Sequence, residues 1–122
     1  MMDHIHLADW ADTAVLAPAT AAVINRLASG VPSARDPLTT LFLAYEINRK
    51  PWLIAPAMNR RMWAHPSVTA SVKKLSTWGV TVVPPGQGHQ ACGDIGEGRL
   101  AEPQVIHRAI LGSLNHTGAA KK

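Results

Sequence analysis

Trp52-Leu53-Ile54-Ala55-Pro56 is an unbroken apolar run closed by a proline. It is too short for a helix and shows no polar–apolar alternation, so it reads as a strand buried on both faces. Thr13-Ala14-Val15-Leu16-Ala17, ending at Pro18, has the same pattern upstream. Val80-Thr81-Val82-Val83, closed by Pro84-Pro85, has it downstream. Helical stretches separate these runs. Thr20 supplies an N-cap oxygen, Val23, Ile24, Leu27 and Ala28 keep helical spacing, and Gly30 stops the helix. Residues 31–36 form a loop, and Pro37 opens a second helix with Leu38, Leu41, Phe42 and Tyr45 on one face. Pro66 opens a third helix whose apolar face is Val68, Val72 and Leu75, stopped by Gly79. Residues 86–98 hold five glycines and read as a long loop. Pro103 opens a last helix carrying Val105, Ile106, Ala109, Ile110 and Leu114.

This order is that of an α/β protein, a three-layer parallel sheet with helices on both faces. The expected boundaries are one domain over residues 1–114 and a frayed tail over residues 115–122. Ligands of such sheets sit beyond the carboxyl ends of the strands. That rule points to residues 18–20, residues 56–63 and the glycine loop around Cys92. Three strands are few for a sheet of this kind. The expectation is that an N-terminal strand and helix are missing, the chain being a fragment, an internal-start product or half of a split protein.

Composition narrows the function classes. Hydrophobic residues are 47% of the 122 and charged residues 16%, which suits a packed core and not a disordered chain. The net charge of +4 suits an acidic or phosphorylated ligand as well as an ordinary basic surface. The cations are scattered and no basic stripe with interleaved aromatics exists, which argues against nucleic acid. The apolar runs are strand-sized, which argues against a membrane span. A lone cysteine, Cys92, rules out a disulfide within the chain and fits a reducing, cytoplasmic setting. The opening Met1-Met2-Asp3-His4 has no signal-peptide character. No metal-ligand spacing is present.

Four segments together carry a resemblance. They are His4-Ile5-His6-Leu7-Ala8-Asp9-Trp10-Ala11-Asp12, Ala17-Pro18-Ala19-Thr20-Ala21, Pro56-Ala57-Met58-Asn59-Arg60-Arg61-Met62-Trp63, and Ala91-Cys92-Gly93-Asp94 followed by Gly96-Glu97-Gly98-Arg99. In order and spacing they resemble the flavin-containing cysteine decarboxylases, nearest to the phosphopantothenoylcysteine decarboxylases of coenzyme A synthesis. The second segment is similar to a PASANT-type motif and the third to a PxMNxxMW motif. The resemblance implies a Rossmann-like flavoprotein fold, FMN as cofactor, and a homo-oligomer built of trimers with the flavin at a subunit contact. It also implies a small-molecule thiol substrate, with a phosphopantothenate–cysteine ligase as a partner.

Residue roles follow from the same resemblance. His4 corresponds to the catalytic histidine; imidazole titrates near neutrality and can take a thiol proton. On its own it would read as an exposed terminal histidine. His6 would point to the opposite face if the segment is extended, and has no assigned role. Asn59 corresponds to the residue that holds the substrate carboxylate. An amide donates without adding charge, whereas a fixed cation would stabilise the carboxylate ground state and slow its loss as CO2. By local pattern alone Asn59 is a turn residue. Met58, Met62 and Ala91 would complete the substrate side, while Thr20, Ala21, Ala22, Val23 and Ala57 would face the cofactor. Cys92 would be the catalytic proton donor of the coenzyme A branch, a step that peptide-modifying members lack; the alternative is a small buried hydrophobe.

The chain departs from the pattern at Ala22 and Val23, where the family carries Asn and Thr. It also lacks the glycine- and serine-containing loop that holds the FMN phosphate. Two other readings stay open: decarboxylation of a C-terminal peptidyl cysteine, and a non-catalytic subunit or fragment of flavoprotein fold.

Overall fold

The computed structural model describes residues 3–33, 35–89 and 95–121. Its order is α1 (His4–Trp10), β1 (Ala14–Ala19), α2 (Ala21–Ser29), α3 (Pro37–Ala44), β2 (Trp52–Pro56), α4 (Arg60–Trp63), α5 (Pro66–Thr77), β3 (Thr81–Val82), β4 (Gly86–His89), β5 (Ile95–Arg99) and α6 (Pro103–Lys121). Strands β1, β2 and β3 form a parallel sheet in that spatial order. The α/β architecture read from the sequence is therefore present.

Strand β2 is central, and all five of its residues are buried. Successive side chains of a strand alternate between faces. Trp52 and Ile54 go to one face and pack with Ile24, Leu27 and Ala28 of α2, Phe42 of α3 and Leu75 of α5. Leu53 and Ala55 go to the other and pack with Val83, Ala101 and the Ile106, Ala109 and Ile110 side of α6. Each fully buried Leu or Ile in this position contributes about 1.5–3 kcal/mol relative to exposure. The Trp52 ring takes the edges of Phe42 and Tyr45, with centroids 4.9 and 5.2 Å apart.

Strand β1 differs from its reading. It does not stop at Ala17 but runs through Pro18 to Ala19, with an irregular register between Leu16 and Ala19. An edge strand tolerates a proline because the missing N–H faces no partner strand. Nor is β1 buried on both faces: Ala14 and Leu16 pack inward, while Val15 is 37% exposed and Ala17 and Pro18 are exposed. Helix α6 packs over Leu53, Ala55 and Val83 and does not extend its cover to this side of β1.

Two further readings are corrected. Residues 86–98 are not simply a loop: β4 and β5 pair antiparallel, with Gly88 opposite Gly96 and His89 opposite Ile95. A main-chain ladder needs no apolar pattern, so the glycines hid it. Residues 4–10 are helical and not extended, because the Asp3 carboxylate caps α1 by accepting the His6 N–H at 2.8 Å. Helix α6 runs from Pro103 to Lys121.

One corner ties α1 and α3 to the sheet. Lys50 Nζ donates to the carbonyl oxygens of Ala8, Asp9 and Ala11, closing the C-terminal end of α1 where a cation suits the helix dipole. The next carbonyl, Pro51 O, accepts both the Ala14 N–H at 3.1 Å and the Tyr45 hydroxyl at 2.9 Å. Burial first, then the charge of Asp12, pushes the Tyr45 phenol up to about 12, so it remains a donor.

Asp36 caps α3 by accepting the Thr39 N–H at 3.0 Å. Hydrogen bonding from Thr39, then the nearby Arg26 guanidinium, outweighs burial and holds its carboxyl below the usual range. A carboxyl depressed in the folded state adds stability that is present above its unfolded value and lost as pH falls through the folded one. Denaturation followed from neutrality to below about pH 4 should therefore show an acid loss of stability that Asp36→Asn, which keeps a cap oxygen but no titrating group, reduces. Identical acid profiles for the two proteins would remove this carboxyl from the balance.

Candidate functional site at the carboxyl edge of the sheet

The parallel register brings two site segments together. Ala19 pairs with Pro56 at the ends of β1 and β2, and the Ala57 N–H donates to Ala19 O at 3.1 Å. Residues 20–23 and 57–59 thus leave the same edge of the sheet, on adjacent strands. This is the ligand-binding edge of an open parallel sheet.

Thr20 is the N-cap of α2: its Oγ1 accepts the Val23 N–H at 3.3 Å, and Gly30 closes the helix in the left-handed conformation at φ 66°. The sequence signals for both ends of α2 were sound. Ala21 is buried, Val23 half-buried, and Thr20 and Ala22 are exposed. The edge is low here, since Ala19, Ala21, Ala22 and Ala57 project no more than a methyl group.

Asn59 is more than a turn residue. It is the N-cap of the short helix α4, its Oδ1 accepting the Met62 N–H at 3.0 Å. A backbone N–H can only donate, so the amide oxygen must face the helix and the NH2 group is left as the outward donor. Met58 is half-buried and packs against the main core, whereas Met62 is 45% exposed. Met58 is thus partly core and Met62 partly surface.

His4 stands apart from these segments. It is half-buried at the start of α1 and lines a pocket of about 320 Å3 with Asp3, Leu7, Pro37, Leu38 and Leu41. The pocket belongs to α1 and α3; Thr20, Ala57 and Asn59 do not line it. His6, about 200° further round the helix, is exposed beside Asp3, with Nδ1 and Oδ1 3.4 Å apart. Hydrogen bonds from the α1 backbone and then the charge of His6 hold the Asp3 carboxyl below its usual range. Ala91 and Cys92 lie outside the described residues.

The sequence reading missed Lys50, which fixes α1 and so His4, and a polar chain of Asn25, His65, Ser67 and Ser71 between α2 and α5. His65-Pro66 was the available signal, a capping side chain just before a proline at the first helical position. No group of His, Cys, Asp and Glu fit to hold a metal occurs among the described residues. No helix among them is long and apolar enough to cross a membrane.

A parallel α/β sheet whose two central turns open onto one edge, with capped helices and small side chains, defines an α/β ligand-binding domain of the doubly wound kind. The flavoprotein family model matches residues 1–115, and the chain belongs to that family. It is 46% identical over 106 residues to the coenzyme A biosynthesis bifunctional protein CoaBC of Bacillus subtilis, covering 87% of this chain and 25% of that one. Among solved structures it is similar to a PPC decarboxylase variant complexed with pantothenoylaminoethenethiol, with TM-score 0.80, 36% identity, and 88% of this chain and 58% of that one covered. The FMN binding protein AtHal3 matches with TM-score 0.78 and 37% identity, over 88% of this chain and 57% of that one. The chain spans a quarter of the CoaBC length and somewhat over half of each structure.

Replacing Thr20 by Ala removes the α2 cap oxygen and should cost about 1 kcal/mol in urea unfolding, while Thr20→Ser keeps most of it. Equal stability of the Ala and Ser variants would show that the cap does not hold α2.

Proposed function

We propose that this chain forms the decarboxylase part of an FMN-dependent, cytoplasmic phosphopantothenoylcysteine decarboxylase, releasing CO2 and 4'-phosphopantetheine for coenzyme A synthesis. The observation that carries the reading is the fixed amide of Asn59, its oxygen held by α4 and its NH2 turned outward at the carboxyl edge of the sheet. A neutral donor there orients a carboxylate without clamping it in its ionised ground state. The bifunctional relative supports a phosphopantothenate–cysteine ligase as the working partner.

FMN, when bound, supplies a two-electron oxidation of the cysteinyl thiol and later returns the pair, so that the whole reaction is redox-neutral. The low alanine edge at residues 19–22 and 57 fits a flat ring, and Thr20, Ala21, Ala22, Val23 and Ala57 would lie against it. The described residues offer no glycine-rich strand-to-helix turn for the phosphate, and this chain is assigned none of that contact. Asn59 holds the carboxylate between walls from Met58 and Met62, and Ala91 is assigned to the same substrate side. His4 accepts the thiol proton. Cys92 returns a proton as the enethiol is reduced, the step that separates the coenzyme A branch from peptide decarboxylation.

Asn59 does not line the pocket that His4 shares with α3. We assign their meeting to a homo-oligomer, a trimer or multiple of trimers, in which one subunit supplies His4 and the next Asn59. His4→Asn and Asn59→Asp should each abolish turnover in the flavin-loaded assembly, the second by setting carboxylate against carboxylate while keeping the α4 cap. Mixing equal amounts of the two inactive variants should restore about a quarter of the sites, since each site then draws its intact halves from different subunits. No recovery on mixing would place both residues in one chain and sink the shared site.

The cofactor assignment has its own test. If the chain holds the ring and not the phosphate, FMN and riboflavin should bind the 122-residue chain weakly, with affinities less than about tenfold apart, because one charge-assisted bond of about 1.5 kcal/mol would separate them further. Tight stoichiometric FMN binding, followed by flavin fluorescence, would show a complete phosphate site.

A further inference from the structure

Four polar side chains outside the proposed site join α2 to the segment that carries Asn59. Ser71 Oγ donates to Asn25 Oδ1 at 2.7 Å, and Asn25 Nδ2 donates to Ser67 Oγ at 3.3 Å. Ser67 Oγ lies 3.0 Å from His65 Nδ1, and the Ser67 N–H donates to the same Nδ1 at 3.1 Å, which makes His65 the N-cap of α5. Asn25 is on α2 and both serines are on α5. His65 hangs directly from the end of α4, its own N–H bonded to Met62 O at 3.1 Å.

The donors fix the direction of this chain. A backbone N–H cannot accept, so Nδ1 must offer its lone pair and the proton of the neutral imidazole must sit on Nε2. The Ser67 hydroxyl then turns its hydrogen toward Nδ1 and accepts from Asn25. That sets the Asn25 amide with its oxygen toward Ser71. An imidazolium carries N–H at both nitrogens, and would place N–H against N–H at the cap. A cation at a helix N-terminus would also oppose the dipole.

We propose that His65, in its neutral Nε2–H form, is a positioning residue that locks α2 to the end of α4 and so fixes Thr20 relative to Asn59. The two segments are then tied twice, once by the Ala57–Ala19 backbone bond at the sheet and once by this lock away from it. The consequence for Thr20 and Asn59 rests on the site proposed above; the lock itself does not.

Long-range proton–nitrogen NMR of the full chain reads the tautomer directly. The expected signature is His65 with its proton on Nε2 and an acceptor Nδ1; a proton on Nδ1 overturns the lock. Urea unfolding of the parent, His65→Asn and His65→Ala should then be compared at one pH. Asparagine keeps a cap acceptor in place of Nδ1, whereas alanine leaves none. The unfolding equilibrium constant of His65→Ala should exceed that of His65→Asn about fivefold, the loss of one N-cap. Equal stability of His65→Ala and the parent overturns the proposal. Neither measurement needs flavin, so each outcome stands apart from the fate of the proposed activity.

Discussion

The parallel register of β2 on β1 is the constraint on which the site depends. Trp52 to Pro56 lies buried on both faces, and its pairing with β1 runs from Ala14 opposite Trp52 to Ala19 opposite Pro56. Because successive side chains alternate, a slip of one residue would send Leu53 and Ala55 to the wrong core and Trp52 and Ile54 with them. The same register ends both strands at one level, so that the Ala57 N–H meets Ala19 O and the two turns emerge side by side. Packing in the middle of the sheet thus sets the geometry of polar groups at its edge.

Beyond that edge, position is controlled by caps. Asp3, Thr20, Asp36, Asn59 and His65 each accept a backbone N–H from the first turn of their helix. A cap satisfies an orphan donor, and it also fixes which atom of the capping side chain remains outward. For Asn59 that leaves a donor, which suits the proposed carboxylate contact. For His65 it leaves Nε2 outward. Lys50 does the converse at the other end of α1, where it satisfies carbonyl groups and thereby holds the helix that bears His4. Local capping and proposed chemistry are therefore two readings of the same hydrogen bonds.

Packing of α1 on α3 seats His4 in a pocket that Thr20, Ala57 and Asn59 do not line. The proposed activity joins the two residues across a contact between chains and is therefore one of an assembly.

The alternation of strands and helices, the ends of α2 and the opening prolines of α3, α5 and α6 were legible in the sequence, because each depends on neighbours within a few residues. Apolar runs, cap residues, Pro18, Gly30 and Pro37 carry that information locally. What the tertiary structure decided depends on partners far along the chain. That β1 would lie at an edge with Val15 open, and that Pro18 would sit inside a strand, followed from which strand had a neighbour and which did not. The pairing of β4 with β5 is a main-chain matter that glycine-rich segments do not announce. The orientation of the Asn59 amide, the tautomer of His65 and the seat of His4 between α1 and α3 are set by hydrogen bonds and packing in three dimensions. A sequence can name the residues that bear the chemistry, but which of their atoms face a ligand is fixed by what their other atoms are already bound to.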